Sequence, residues 1–264
     1  MSQVLTDRAL GGQALAYRID GGGDEVGRCG FLFLGGFKSE MTGKKGEALA
    51  ELARATRRRT LRFDYSGHGQ SSGKFTDGTI SAWLEQAMHM YLAHTRSKVV
   101  VVGSSMGGWL ALLLARRLKL EDPMGHRRLA GLVLLAPAAD MTQDLMWNNF
   151  SEKAKVELRN GGVYRMPSNY GEPYEITAQL LADGEQHLLL RDGMQVDVPV
   201  RILQGTRDDE VPVSHAVKTF DAIRGDDVTL TCIKGADHRL SSPTQIKMIC
   251  DTALNLADLA DGGV

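Results

Sequence analysis

A run of four valines leads directly into a glycine-flanked serine, and this junction constrains the fold more than any other feature of the chain. The valines occupy positions 99–102 and are followed by Gly103-Ser104-Ser105-Met106-Gly107. A short apolar run bounded by glycine predicts a buried strand, and residues 105–119 have a helical pattern. A strand that turns into a helix through Gly-x-Ser-x-Gly is typical of a nucleophile elbow, where glycines remove side chains that would collide. We therefore expect Ser105 to be a nucleophile, whereas Ser104 lacks the required glycine spacing.

Short apolar runs alternate with helix-length segments along most of the chain. Besides residues 99–102, strands are predicted at 31–34, 61–63, 132–135, 200–203 and 228–233, and helices at 44–56, 80–95, 105–119, 215–223 and 244–259. Strands rich in valine and leucine that are separated by helices indicate a mostly parallel sheet with helices on both faces. Residues 14–19 are predicted to add an antiparallel edge strand.

This alternation stops between Asp140 and Asp197, where no strand is predicted. An insertion of this length in an α/β sheet is usually functional, most often as a lid over the active site. The predicted organisation is an α/β core of residues 1–139 and 198–264, with a lid insertion of residues 140–197 after strand 6. Met146, Trp147 and Phe150 are candidates to line a substrate pocket, and packing within the lid is the alternative.

A serine hydroxyl becomes a good nucleophile only when a base accepts its proton. The chain order serine, acid, histidine places the acid and the histidine after late strands of such a sheet. Asp208 follows the last strand but one and His238 follows the last strand, so they are the predicted acid and base. Asp209 and Asp140 stay open as alternative acids. Asp237 directly precedes His238 and is interpreted as a solvated turn residue.

The transition state of acyl transfer also needs N–H donors for the developing oxyanion. One donor is predicted to be the backbone N–H of Met106, at the start of the helix that follows Ser105. The second is predicted to be the N–H of Phe37, because Gly35-Gly36-Phe37 follows the first buried strand. An ordinary tight turn is the alternative interpretation of this glycine pair.

Asp64-Tyr65-Ser66-Gly67-His68-Gly69-Gln70-Ser71 also clusters an aspartate, a histidine and serines. The segment follows a predicted strand, and we interpret it as a structured turn in which Asp64 accepts backbone hydrogen bonds. A catalytic role for His68 is the less favoured interpretation.

Composition excludes several classes of protein. The 31 basic and 32 acidic residues give a net charge of −1, which argues against a nucleic-acid partner. The longest apolar stretch, residues 109–115, is far shorter than the ~20 residues that span a bilayer, so stable membrane insertion is not expected. The N-terminal residues lack the apolar core of a signal peptide, and the three widely spaced cysteines favour a reducing compartment. The predicted location is cytoplasmic.

Several motifs resemble those of the α/β-hydrolase superfamily. They are Phe63-Asp64-Tyr65-Ser66-Gly67, Gly103-Ser104-Ser105-Met106-Gly107-Gly108-Trp109, Asp208-Asp209-Glu210-Val211-Pro212, Asp237-His238-Arg239 and, in the predicted lid, Gly162-Val163-Tyr164-Arg165-Met166-Pro167-Ser168-Asn169-Tyr170. All five motifs are similar to those of one subgroup, which has palmitoyl-protein thioesterase and acyl-glucuronide esterase activity, and the lid motif is unusual across the superfamily. Because the chain lacks a transit-like N-terminal extension, it resembles a bacterial member of that subgroup.

The resemblance implies a serine hydrolase that cleaves esters or thioesters of medium-to-long acyl chains, with Ser105, Asp208 and His238 as its triad. Its substrate would be a small molecule or an acylated protein, and the chemistry needs neither a metal nor an organic cofactor. A dehalogenase or an epoxide hydrolase would have an aspartate in place of Ser105. Two alternatives stay open, which are a peptidase of the same fold and a non-catalytic protein that binds a small molecule.

Overall fold

The computed structural model describes residues 3–8, 12–22, 27–167 and 172–262 of the chain. Its strands are β1 (Leu5–Arg8), β2 (Ala14–Gly21), β3 (Gly30–Leu34), β4 (Arg59–Phe63), β5 (Val99–Ser104), β6 (Leu129–Leu135), β7 (Val163–Met166), β8 (Tyr174–Thr177), β9 (Met194–Gln195), β10 (Val200–Gly205), β11 (Ile223–Arg224) and β12 (Val228–Ile233). Its α-helices are α1 (Lys44–Ala55), α2 (Ile80–His94), α3 (Met106–Glu121), α4 (Pro123–His126), α5 (Glu152–Arg159), α6 (Ala178–Gly184), α7 (Val213–Ala222) and α8 (Pro243–Ala260).

Within these described residues the main sheet has eight strands in the order β1-β2-β4-β3-β5-β6-β10-β12. Neighbouring strands in the series β4-β3-β5-β6-β10-β12 are parallel, whereas β2 is antiparallel to both of its neighbours. The prediction of a mostly parallel sheet flanked by helices is confirmed. The antiparallel strand predicted at residues 14–19 is present as β2, but the edge prediction is wrong, because β1 pairs with its outer side.

The four valines of β5 show why the central strands are continuous apolar runs. Val99 and Val101 belong to a core cluster on one face of the sheet, beneath α2 and α3. Val100 and Val102 belong to a second cluster on the other face, beneath α1 and α8. All four side chains are buried, which is why these positions form a continuous apolar run.

Residues 140–197 follow β6, and they contain strands that the sequence did not predict. β7 and β8 form an antiparallel pair in which Tyr164 lies opposite Ile176. Each strand has four residues, too few for a period-two pattern to be recognised. The pair is stabilised by packing, since Ile176 is fully buried in the core cluster beneath α2 and α3. The end of the predicted lid motif, residues 168–170, lies outside the described residues.

Candidate active site

Ser105 lies at the junction of β5 and α3 in a strained backbone conformation, with φ 55° and ψ −118°. Residues other than glycine rarely adopt a positive φ, so the surrounding structure must impose it. A Cβ atom on Gly103 would overlap the carbonyl oxygen of Gly107, and a Cβ on Gly107 would overlap that of Leu34. The two glycines are therefore required by the close approach of three backbone segments, as the sequence pattern predicts.

Ser105, His238 and Asp208 form one hydrogen-bonded chain. Nε2 of His238 lies 3.0 Å from Oγ of Ser105, and Nδ1 of His238 lies 2.9 Å from Oδ2 of Asp208. The Asp208 side chain is fully buried and that of His238 is largely buried. Because the carboxylate accepts the Nδ1 proton, the Nε2 lone pair is directed at the serine hydroxyl. The structure thus brings together the predicted nucleophile, base and acid.

Both carboxylate oxygens of Asp208 are held by further donors. Oδ1 accepts the backbone N–H groups of Glu210 and Val211, at 3.0 and 2.8 Å. Oδ2 accepts Nε2–H of Gln204, at 3.0 Å, in addition to the histidine. Gln204 is fully buried near the end of β10, and the sequence analysis did not identify it. The feature of the sequence that indicates Gln204 is a polar residue directly after the apolar part of a buried strand, at the carboxyl end of that strand.

The loop that carries His238 is positioned against the end of β10. A Cβ atom on Gly205 would overlap the carbonyl oxygen of Ala236, so this glycine permits the close approach of strand and loop. The ammonium group of Lys45 donates a hydrogen bond to the Arg239 carbonyl oxygen, at 2.6 Å. Burial lowers the pKa of Lys45 to about 8. The histidine loop is therefore fixed from two sides.

The alternative acids lie in other environments. Asp140 is buried, and its two carboxylate oxygens accept the backbone N–H groups of Leu189 and Leu190, at 2.8 and 2.9 Å. Burial is the main cause that raises the pKa of the Asp140 carboxyl. Asp209 and Asp237 are exposed. Of the candidate acids, the structure places Asp208 on the Nδ1 side of the base.

The loop after β3 lies directly against Ser105. A Cβ atom on Gly36 would stand 3.3 Å from the Cβ of Ser105, so Phe37, the next residue, begins beside the nucleophile. Met106 is the first residue of α3, and the first N–H groups of a helix have no intrahelical partner. The two residues predicted to supply oxyanion donors are therefore both neighbours of Ser105.

His68 contacts the same loop from the segment that the sequence analysis interpreted as a structured turn. Its Nε2 accepts the backbone N–H of Lys38, at 3.1 Å, and its Nδ1–H donates to the Ser66 carbonyl oxygen, at 3.1 Å. Lys38 has a positive φ of 55°. Burial lowers the pKa of His68 to about 4, which agrees with a neutral ring that accepts at Nε2.

Asp64 holds the turn itself, as the sequence analysis predicted for this residue. Its Oδ1 accepts the N–H of Met41, at 2.6 Å, and its Oδ2 accepts that of Gln70, at 2.9 Å. The carboxylate therefore connects the turn after β4 to the chain just before α1. His68 lies within this turn, so its position beside the loop after β3 is stabilised by the same bonds.

A cleft of about 890 Å³ opens at Ser105 and His238. Polar and charged groups contribute to its lining, among them Lys38, Glu40 and Asp209. The segment 140–197 contributes apolar side chains, namely Met141, Leu145, Met146, Met166 and Tyr174. The site can therefore accept a substrate that has both apolar and polar parts.

Two of the three predicted substrate-binding residues do not line this cleft. Met146 does, but the indole of Trp147 packs beneath Lys155 and Arg159, whose charged groups lie 5.6 and 5.2 Å from its ring centre. Phe150 packs edge-on against Tyr164, at 5.0 Å between ring centroids. Consecutive residues in the π-helical and 3-10 turns of this region point in different directions, which the sequence does not reveal.

Within the residues that the structure describes, no helix combines the length and the apolar character needed to cross a membrane.

Comparisons with known proteins agree with this fold. Residues 31–246 match the model of the Alpha/beta hydrolase family. The mitochondrial palmitoyl-protein thioesterase ABHD10 of Bos taurus is 32% identical over 233 residues, which cover 87% of this chain and 73% of that protein. The crystal structure of a putative hydrolase from Agrobacterium vitis S4 is similar with a TM-score of 0.90 and 36% identity, covering 97% of this chain and 98% of that one. Mouse ABHD10 gives a TM-score of 0.85 at 27% identity, covering 98% and 99%. The chain therefore belongs to the α/β-hydrolase family.

Proposed function

We propose that this protein is a serine esterase or thioesterase that hydrolyses its substrate through an acyl-Ser105 intermediate. The observation that carries the proposal is the continuous hydrogen-bonded chain from Asp208 through His238 to Ser105. A serine hydroxyl whose proton is shared with an oriented imidazole is the arrangement that nucleophilic acyl transfer requires. The strained conformation of Ser105 supports the same role, because strain of this kind is concentrated at functional sites.

In the first half of the reaction, Oγ of Ser105 attacks the acyl carbonyl carbon while Nε2 of His238 accepts the hydroxyl proton. The electrons of the C=O double bond move to its oxygen, and the N–H groups of Phe37 and Met106 stabilise this oxyanion. The tetrahedral intermediate then collapses, and His238 donates the proton to the departing thiol or alcohol. Asp208 stabilises the imidazolium ion during these steps.

In the second half, His238 accepts a proton from water, and the resulting hydroxide attacks the acyl-Ser105 carbonyl. Collapse of this second tetrahedral intermediate returns the proton to Oγ and releases a carboxylic acid. The same residues therefore serve both halves. None of these steps needs a redox partner, because every bond change is a transfer of an acyl group or a proton.

The segment 140–197 is proposed to act as a lid that binds the acyl chain, set on a core of residues 1–139 and 198–264. Met141, Met146 and Met166 line the cleft from this segment. Methionine side chains are flexible and adapt to apolar ligands of different shape. We therefore expect the acyl group to lie against these methionine side chains.

The substrate class follows from the same features together with the relatives. ABHD10 of Bos taurus is named a palmitoyl-protein thioesterase, and its similarity supports a thioester or an oxygen ester as the scissile bond here. The substrate is proposed to be a small molecule or an acylated protein, as a wide cleft admits either.

The proposed location is the cytoplasm. Cys29, Cys232 and Cys250 are all free thiols, which supports a reducing compartment. The bovine relative carries the word mitochondrial in its name, so fractionation of the native host with an antibody against this chain is the measurement that decides the compartment.

The test is labelling with a fluorophosphonate probe combined with turnover of p-nitrophenyl esters of four, eight and sixteen carbons and of an S-palmitoylated peptide. Wild type is expected to be labelled and to hydrolyse at least one series. Ser105→Ala should lose the label and reduce kcat by about 10⁴-fold or more. Ser104→Ala is the matched control, because it removes the neighbouring hydroxyl and keeps the glycine pattern of the elbow.

Three outcomes would contradict the proposal. Labelling that persists in Ser105→Ala would exclude Ser105 as the nucleophile. Stoichiometric ligand binding without turnover would indicate the non-catalytic alternative. Cleavage of peptides at rates above those for every ester and thioester would indicate the peptidase alternative.

A further inference from the structure

A second cluster of histidine and carboxylate groups lies outside the cleft, where β1 meets the end of α2. Nε2 of His89 lies 3.0 Å from Oδ2 of Asp7, and Nε2 of His94 lies 2.6 Å from the same oxygen. The three ligand atoms lie within 4.8 Å of one another. Among the residues that the structure describes, this is the group of three or more such side chains that meets the geometric requirement for holding a metal ion.

The spacing of these atoms is close to that of a zinc site. Bonds of about 2.0–2.1 Å in a tetrahedral arrangement place neighbouring ligand atoms about 3.3 Å apart. The His89–Asp7 distance of 3.0 Å is close to this value, whereas the His94–Asp7 distance of 2.6 Å is clearly shorter. Binding of the ion therefore requires the His94 imidazole to move away from Asp7.

The ligand types also suit zinc. Two imidazole nitrogens and one carboxylate oxygen form a borderline donor set that binds Zn²⁺ well. All three residues are half-buried, so a water molecule can complete the coordination from solvent.

The neighbouring ring of Tyr17 limits the freedom of one ligand. It stacks on the imidazole of His94 with ring centroids 4.5 Å apart, and it lies on β2, which pairs with the strand of Asp7. Orientation of a histidine by groups around it strengthens metal binding.

We propose that Asp7, His89 and His94 form a binding site for a zinc ion that joins the edge strand β1 to α2. Among the residues that the structure describes, β1 pairs with β2 along one side only, and most residues of β1 are exposed. An edge strand of four residues gains little stability from one ladder. The bound ion connects it to a helix that packs on the core, and each coordinating Nε2 must release or relocate its proton.

The experiment uses tag-free, chelator-treated full-length protein titrated with ZnCl₂ at pH 7.5 in a calorimeter. Wild type is expected to bind one equivalent of zinc. Asp7→Asn and His94→Gln should each reduce the affinity for that ion by about 100-fold or more. His126→Gln is the matched control, because His126 faces the Asp197 carboxylate at 3.9 Å outside this cluster. It should retain the affinity of wild type.

Thermal unfolding supplies an independent readout. At a free zinc concentration 100 times Kd, the Tm of wild type should rise by about 5 °C, and that of the two variants should not. His89→Gln serves as a third variant if either of the others fails to fold without metal. Equal zinc affinity in wild type and in all folded cluster variants would overturn the proposal. So would the absence of zinc binding by wild type at millimolar concentration.

Discussion

Two histidine rings contact the candidate site, one directly at Ser105 and one through the loop after β3. In both, Nδ1–H donates to an oxygen atom, which is a carboxylate oxygen of Asp208 for His238 and the carbonyl oxygen of Ser66 for His68. Their Nε2 atoms differ. That of His238 faces the Ser105 hydroxyl, whereas that of His68 accepts the backbone N–H of Lys38.

This difference shows how partners decide what a histidine can do. A carboxylate stabilises the imidazolium ion, so His238 can accept a proton during a reaction. His68 is buried among neutral hydrogen-bonding groups, and its pKa is lowered to about 4. It therefore stays neutral at physiological pH and holds the position of the loop that carries Phe37. Matched changes at the two rings test this comparison.

The largest expected effect comes from replacing each ring by glutamine. Gln at position 238 cannot act as a base, so His238→Gln should lower kcat by about 10⁴-fold or more. A glutamine carbonyl at position 68 can still accept the Lys38 N–H, so His68→Gln should lower kcat by no more than about 10-fold. Steady-state kinetics with the best p-nitrophenyl ester measures both. Losses of the same size would mean that His68 also takes part in proton transfer.

The next expected effect is the contribution of His68 to the pH dependence of stability. The folded pKa of about 4 lies below the ordinary value of 6.5, so the unfolded chain binds a proton in this window while the folded chain does not. The stability is fully present above about pH 6.5 and is lost as the pH falls toward 4. Between pH 7 and pH 4.5 the cost is about 2.5 kcal/mol.

Urea unfolding of wild type and His68→Gln at these two pH values measures this contribution. His187 and His215, whose pKa values are also lowered by burial, are present in both proteins, so the difference between the two pH dependences isolates His68. The free energy of unfolding of the variant should fall less on acidification. A variant with the same fall as wild type would show that His68 is protonated as easily in the folded chain as in the unfolded one.

The smallest expected effect concerns the orientation of the His238 partner. Gln204→Leu removes the side-chain amide that donates to Oδ2 of Asp208. The same amide donates to the Val211 carbonyl oxygen, at 2.8 Å, so this second hydrogen bond is lost as well. Two backbone donors to Oδ1 remain, so kcat should fall by about 10-fold with KM nearly unchanged. Gln195→Leu, an exposed glutamine on β9, is the control. An increase in KM at constant kcat would contradict a role in positioning the acid.

The predictable part of the site consists of residues whose position follows from local pattern. Ser105 was found because a valine strand, a glycine turn and a helix are contiguous in the chain. Asp208 and His238 were found because each follows a late strand. The choice between Asp208 and Asp140 could not be made locally, since it depends on which distant groups bind each carboxylate. The carboxylate of Asp140 accepts hydrogen bonds from the backbone N–H groups of Leu189 and Leu190.

The unpredicted part of the molecule depends on packing between distant segments. The strands β7 and β8 are too short to carry a recognisable period, and the directions of Trp147 and Phe150 follow from how irregular turns pack. His89 and His94 both lie on α2, but Asp7 joins them only because β1 pairs with β2.

The sequence by itself determined the order of the central strands and of the helices between them, the turn at Ser105 and the places where an acid and a base follow the sheet. These depend on backbone preferences within a few residues, where glycine and apolar patterns act directly. Only the tertiary structure decided which aspartate meets His238, why His68 remains neutral and which side chains line the cleft. The physical reason is that hydrogen bonding and burial of a polar group are set by neighbours far away in the chain.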